Sequence, residues 1–139
     1  MTYDFCRVSV KDLDVARTAE VLSGLGVVLE PQRSDRVRHG AFAGIPVEVR
    51  QNTDAQGPVA DRWHEGQSIA QYQDPDDDFI LWPVWVELGG DGDEDPGAMV
   101  ELASAIMRAF WDRGHPAVAA CDFEDELPWE GGIARLRQR

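Results

Sequence analysis

Residues 79–88 are almost continuously apolar, and from residue 96 to 114 apolar positions recur at helical spacing. Met99, Val100, Leu102, Ala103, Ile106, Met107, Phe110 and Trp111 make a stripe wide enough to face a core. Asp95 stands where an N-cap belongs, Pro96 occupies the first helical position, and Gly114 and Pro116 stop the run. Residues 117–123 are apolar again. The pattern predicts a strand–helix–strand unit. The first strand is apolar at both parities, which predicts a central strand covered on both faces. Pro83 interrupts it, so a bulge or a change of pairing partner is expected there.

The remainder is read from the same periodicities. Residues 3–10 alternate, with Cys6, Val8 and Val10 on one side and Tyr3, Phe5 and Arg7 on the other, which predicts a strand. Asp12 is placed to cap a following helix and Asp14 to meet its dipole. Val15, Ala19 and Leu22 carry the helical spacing, and Gly24 or Gly26 ends it. Residues 27–29 read as a short strand or as the apolar exit of that helix. Residues 37–42 and 46–51 predict a hairpin with one wet face, on which Glu48 and Arg50 lie opposite Val47 and Val49. Residues 52–78 show little periodicity. A loop of that length is uncommon in a compact domain and is often functional. It holds Trp63, which reads either as a plug at the rim of the core or as an exposed anchor for a partner. The order β-α-β-β-(loop)-β-α-β predicts an α+β domain over residues 1–130. It would have a mixed or antiparallel sheet with two helices on one face, in a ferredoxin-like arrangement. Residues 131–139 read as a mobile arginine-rich tail.

Composition narrows the function. The 139 residues include 26 acidic and 13 basic groups, a net charge of −13. A chain so acidic is repelled by nucleic acid and by anionic membrane surfaces. Residues 1–6 lack the basic and apolar segments of an export signal, and no run approaches the roughly 18 apolar residues of a membrane helix. The expectation is a cytoplasmic protein. Cys6 and Cys121, both in apolar stretches, read as free buried thiols, with a disulfide or a reactive thiol as the alternative. A ferredoxin-like order would place them side by side.

Candidate chemistry is sparse. Asp91, Asp93 and Asp95 match the first ligand positions of a calcium loop, but Pro96 falls where glycine is needed and Leu102 where the bidentate glutamate belongs. His64-Glu65 begins a zincin motif that Ser68 ends. His39, His64 and His115 lie in different elements, and the cysteines lack zinc spacing. No catalytic residue, metal or cofactor is assigned. The acidic runs carry more weight. If the last strand continues past residue 123, Asp122, Glu124 and Glu126 share one face. With Asp91, Asp93 and Asp95, and Trp63 as an apolar anchor, they make the candidate surface for a basic protein partner.

Met1-Thr-Tyr-Asp-Phe5 opening a strand that feeds a helix, and Cys121-Asp-Phe-Glu-Asp-Glu-Leu-Pro128 closing the domain, resemble a group of small acidic actinobacterial proteins. The outline is also similar to α+β immunity proteins of bacterial polymorphic toxin systems. The resemblance implies a cytoplasmic protein that binds and blocks a cognate toxin without catalysis. The alternative is a small enzyme or ligand-binding domain that uses residues 52–78 as a lid.

Overall fold

The computed structural model describes residues 3–31, 36–53 and 79–137. In chain order the elements are β1 (Phe5–Val10), α1 (Val15–Ser23), β2 (Val28–Pro31), β3 (Val37–Phe42), β4 (Ile45–Gln51), β5 (Val84–Gly89), α2 (Pro96–Asp112), β6 (Ala117–Ala120) and α3 (Ile133–Arg137). The strands form one sheet in the order β2-β3-β4-β5-β1-β6, and every neighbouring pair is antiparallel. The fold is α+β. The four strands β4-β5-β1-β6 with α1 and α2 make the split βαβ arrangement of a ferredoxin-like fold. The β2–β3 pair widens that sheet on one side.

Alternation along the strands builds the core. Val8 and Val10 of β1, Val47 and Val49 of β4, and Val84, Val86 and Leu88 of β5 turn to one face and are buried there. Leu22 of α1 and Met99, Ile106, Met107 and Phe110 of α2 cover them. Asp95 caps α2 as its position predicts, accepting from the Ala98 amide at 2.9 Å. In α1 the cap is Asp14, whose carboxylate accepts from the Arg17 amide at 2.8 Å. Asp12 instead turns the chain at a φ of 69°, a conformation that aspartate tolerates better than most residues.

Three boundaries differ from the sequence expectation. β5 starts only at Val84. Residues Phe79–Leu81 form a 3-10 turn, and Trp82 packs elsewhere. Pro83 therefore lies just outside the strand, and its carbonyl accepts from the Asn52 amide at 2.8 Å. Its missing N–H costs the sheet nothing. β6 stops at Ala120, because Glu124 Oε1 takes the Cys121 amide at 3.0 Å and the chain turns away. The stretch from Gly131, read as a mobile tail, is instead part of the fold as far as it is described. The Ala119 amide donates to the Gly131 carbonyl at 2.7 Å, so this segment lines the outer edge of β6. Leu136 of α3, only 7% exposed, then packs with Trp82 and Val118 on the sheet face away from α1 and α2. The reason is the apolar pair Ile133 and Leu136, spaced to share one side of a helical turn.

Phe110 is fully enclosed. Phe110→Ala is expected to destabilise the fold by about 3–5 kcal/mol, the range for truncating a large buried aromatic. A urea melt reads this directly. A loss under about 1 kcal/mol would mean that α2 does not pack as described.

Candidate functional site

The two acidic runs meet because of strand polarity. β5 and β6 both run antiparallel to β1, so both end where β1 begins. The Gly90 amide donates to the Asp4 carbonyl at 2.7 Å, which seats the 89–95 turn against the start of β1. Gly89 permits this approach. It has a φ of 81°, and a Cβ there would stand 2.2 Å from the Asp4 carbonyl oxygen. On the other side the Tyr3 hydroxyl donates to Glu126 Oε2 at 2.5 Å, and its ring stacks on Phe123 with centroids 5.2 Å apart. Segments 3–6, 88–98 and 120–127 thus form one end of the sheet. They hold Asp4, Asp91, Asp93, Glu94, Asp95, Asp122, Glu124, Asp125 and Glu126, with no lysine, arginine or histidine.

These acids divide by what their carboxylates touch. Glu94 Oε1 accepts from the Asp91 amide at 2.9 Å. That bond first, and the amides of Glu94, Gly92 and Gly90 after it, hold the Glu94 carboxyl below its usual range. Gly90 and Gly92, at φ of 113° and 84°, let the turn curl around it. Asp95 caps α2, Glu124 holds the Cys121 amide, and Glu126 holds Tyr3. Asp4, Asp91, Asp93, Asp122 and Asp125 are exposed.

The extended ladder expected of Asp122, Glu124 and Glu126 is not what forms. Glu124–Glu126 is a 3-10 turn, so the three carboxylates do not share a strand face. Asp91, Asp93 and Asp95 do lie at the same end of the sheet as they do. Asp4 and Asp125 belong to this surface and were not singled out from the sequence. Asp4 becomes a neighbour only through the β1–β5 pairing. Trp63, the expected anchor, lies outside the described residues. Phe5, 41% exposed, opposes Gly89 across the β1–β5 ladder and places an aromatic ring beside the acids. Trp129, 47% exposed, follows Glu126 by three residues.

The sheet face away from α1 and α2 carries a different arrangement. Glu87 accepts from Arg7 at 3.2 Å and lies 3.6 Å from Arg50 Nη1. Arg50 Nε lies 3.0 Å from Glu48 Oε1, and His39 Nδ1 lies 3.2 Å from Glu48 Oε2. The Arg7 guanidinium also sits 4.0 Å above the Trp85 ring. Across β1, β5 and β4 the charges alternate and answer one another locally. A depression of about 500 Å³ beside this ladder is lined by Arg36, Val37, Arg50, Gln51, Asn52, Thr53 and Trp85. Arg50 is already paired there, and the Asn52 amide is turned inward to the carbonyls of Ile80 and Trp82 at 2.8 and 2.7 Å. Among the described residues no three of His, Cys, Asp and Glu converge to hold a metal ion. No helix among them is long and apolar enough to cross a membrane.

Compared with protein-family models, with curated proteins and with solved structures, the chain finds no match.

The Tyr3–Glu126 contact is testable by titration. Its hydrogen bond to Glu126 is the main reason that the Tyr3 phenol is raised above the ordinary value of 10.0. A raised phenol favours the fold below its unfolded value, and that contribution is lost as pH climbs through the folded value. In a Tyr72→Phe background, where Tyr3 is the remaining tyrosine, phenolate absorbance is expected to appear above pH 10. Glu126→Gln should move the midpoint back down. Identical midpoints with and without Glu126 would mean that the two side chains do not meet in solution.

Proposed function

We propose that this protein is a non-catalytic binding protein that docks a basic protein partner on its acidic end, in the manner of an immunity-type inhibitor acting in the cytoplasm. One observation carries the reading: strand polarity gathers nine acidic residues onto one end of the sheet, drawn from three separate segments that contain no lysine, arginine or histidine of their own. Phe5 and Trp129 supply exposed aromatic surface of the kind that anchors interfaces. The alternating charges on the opposite face, by contrast, satisfy one another and offer little net field to a partner.

Complementary charge acts mainly on encounter rate and on the choice of partner. It is screened as the Debye length falls from about 10 Å at 0.1 M salt to about 3 Å at 1 M. The immobilised protein should therefore retain a basic protein from an extract of its source cells at low salt and release it at high salt. Asp93→Lys with Asp125→Lys reverses two exposed charges that make none of the contacts holding the turns. The double variant should lose the captured protein and keep the wild-type melting temperature. Capture of the same proteins by both forms, with no dependence on salt, would eliminate the acidic end as the docking surface. With a purified partner, stopped-flow measurements should show the loss in the association rate.

A further inference from the structure

The β1–β6 ladder pairs Val8 with Ala119 and Arg7 with Ala120. Cys6 precedes Arg7 and Cys121 follows Ala120, so the two cysteines flank the last pair of this ladder, with Cys6 on the side of the sheet that faces α1 and α2. The ladder pair beside them, Arg7 and Ala120, has Cα atoms about 4.5–5.5 Å apart, as directly opposed antiparallel residues do. A disulfide spans about 4.4–6.8 Å. Both cysteines are free thiols, and Cys121 packs against the core cluster to which Cys6 belongs. Their surroundings differ sharply. Cys6 is fully enclosed by the core, whereas Cys121 is only partly buried where β6 gives way to the acidic turn.

We propose that Cys6 and Cys121 are a peroxide-sensitive dithiol site, in which Cys121 is the attacking sulfur and Cys6 resolves it into an intramolecular disulfide.

Accessibility assigns the roles, because Cys121 is partly exposed to solvent and Cys6 is not. Electrostatics acts in the same direction. Donation from Cys6, then the Phe123 backbone amide, lowers the Cys121 thiol, outweighing its burial and the nearby Glu124 and Asp122 carboxylates. Its hydrogen bond to Cys121 and its burial raise the Cys6 thiol and keep it protonated. The Cys121 thiolate attacks one peroxide oxygen. An S–O bond forms, the O–O bond breaks, and the departing hydroxide takes a proton to become water. The Cys121 sulfur is now a sulfenic acid, oxidised by two electrons. The Cys6 sulfur then attacks it. The S–S bond forms, the S–O bond breaks, and the leaving hydroxide takes the Cys6 proton and departs as a second water. Both thiols have been oxidised together to one disulfide, and one peroxide has been reduced to two waters. The bond ties the end of β6 to the start of β1, next to Asp122 and Glu124. The assignment stands independently of the docking reading.

The test treats the purified full chain with hydrogen peroxide under native conditions, at a dose that oxidises a free cysteine peptide, and reads intact mass and peptide maps. The expected result is a monomer lighter by two hydrogens, with the Cys6 and Cys121 peptides linked, restored by dithiothreitol. In Cys6→Ser the Cys121 sulfenic acid should persist and be captured by dimedone. In Cys121→Ser the same dose should leave Cys6 a thiol. Unchanged thiols in the wild type, a sulfinic acid at Cys121 beside an intact Cys6, or linkage only between molecules would each overturn the proposal. The wild-type mass needs no variant to fold.

Discussion

The two-sided pairing of β1 is the constraint on which the rest of the structure depends. One six-residue strand hydrogen-bonds to β5 along one edge and to β6 along the other, antiparallel to both. Antiparallel pairing on both sides makes β5 and β6 parallel to each other. Parallel strands need a crossover long enough to return the chain to the starting end, and α2 supplies it. The same polarity brings out the ends of β5 and β6 together, beside the residues that precede β1. The acidic end, the Tyr3–Glu126 contact and the cysteine pair all follow from it.

Gathering like charges has an electrostatic consequence that the turns partly absorb. Two carboxylates about 8 Å apart in water repel by about 0.5 kcal/mol. Glu94, Asp95, Glu124 and Glu126 offset this by accepting hydrogen bonds from amides or a phenol of their own chain. The exposed aspartates between them then have fixed positions, which a floppy acidic tract would not give them. The face carrying Arg7, Glu87, Arg50 and Glu48 is organised on the opposite plan, with each charge set between charges of the other sign.

Much of this architecture was legible in local patterns, and the failures share a cause. α2 could be read from its stripe and from Asp95-Pro96, because capping and amphipathicity act within one segment. The α+β class followed from the interleaving of strands and helices. β5 was drawn too long because Trp82 is apolar for a reason that no local window shows: it packs on Val118 and Leu136 on the second face. β6 was drawn too long because Phe123 does belong to the core, yet it gets there by a turn that Glu124 holds. Asp12 and Asp14 are chemically equivalent caps, and only the backbone chose between them. At the candidate site, Asp122 and the 91–95 turn were visible as acidic runs. That they meet at one end, joined by Asp4 and Asp125, depends on the strand order, which periodicity does not encode.

The covering of β6 by the segment that leads into α3 has a consequence for how copies of this chain could associate. A sheet with both edges bare can add like sheets indefinitely, each new copy presenting the edge that the next requires. Here the Ala119 amide is already occupied by the Gly131 carbonyl, and among the described residues the opposite edge, β2, is the one strand with an outer side left unpaired. That edge is four residues long, begins at the exposed Val28 and closes with Pro31. Among the described residues, strand pairing between copies has only the β2 edge open to it. The segment that leads into α3 thus closes the β6 edge, while α3 itself packs on the sheet face.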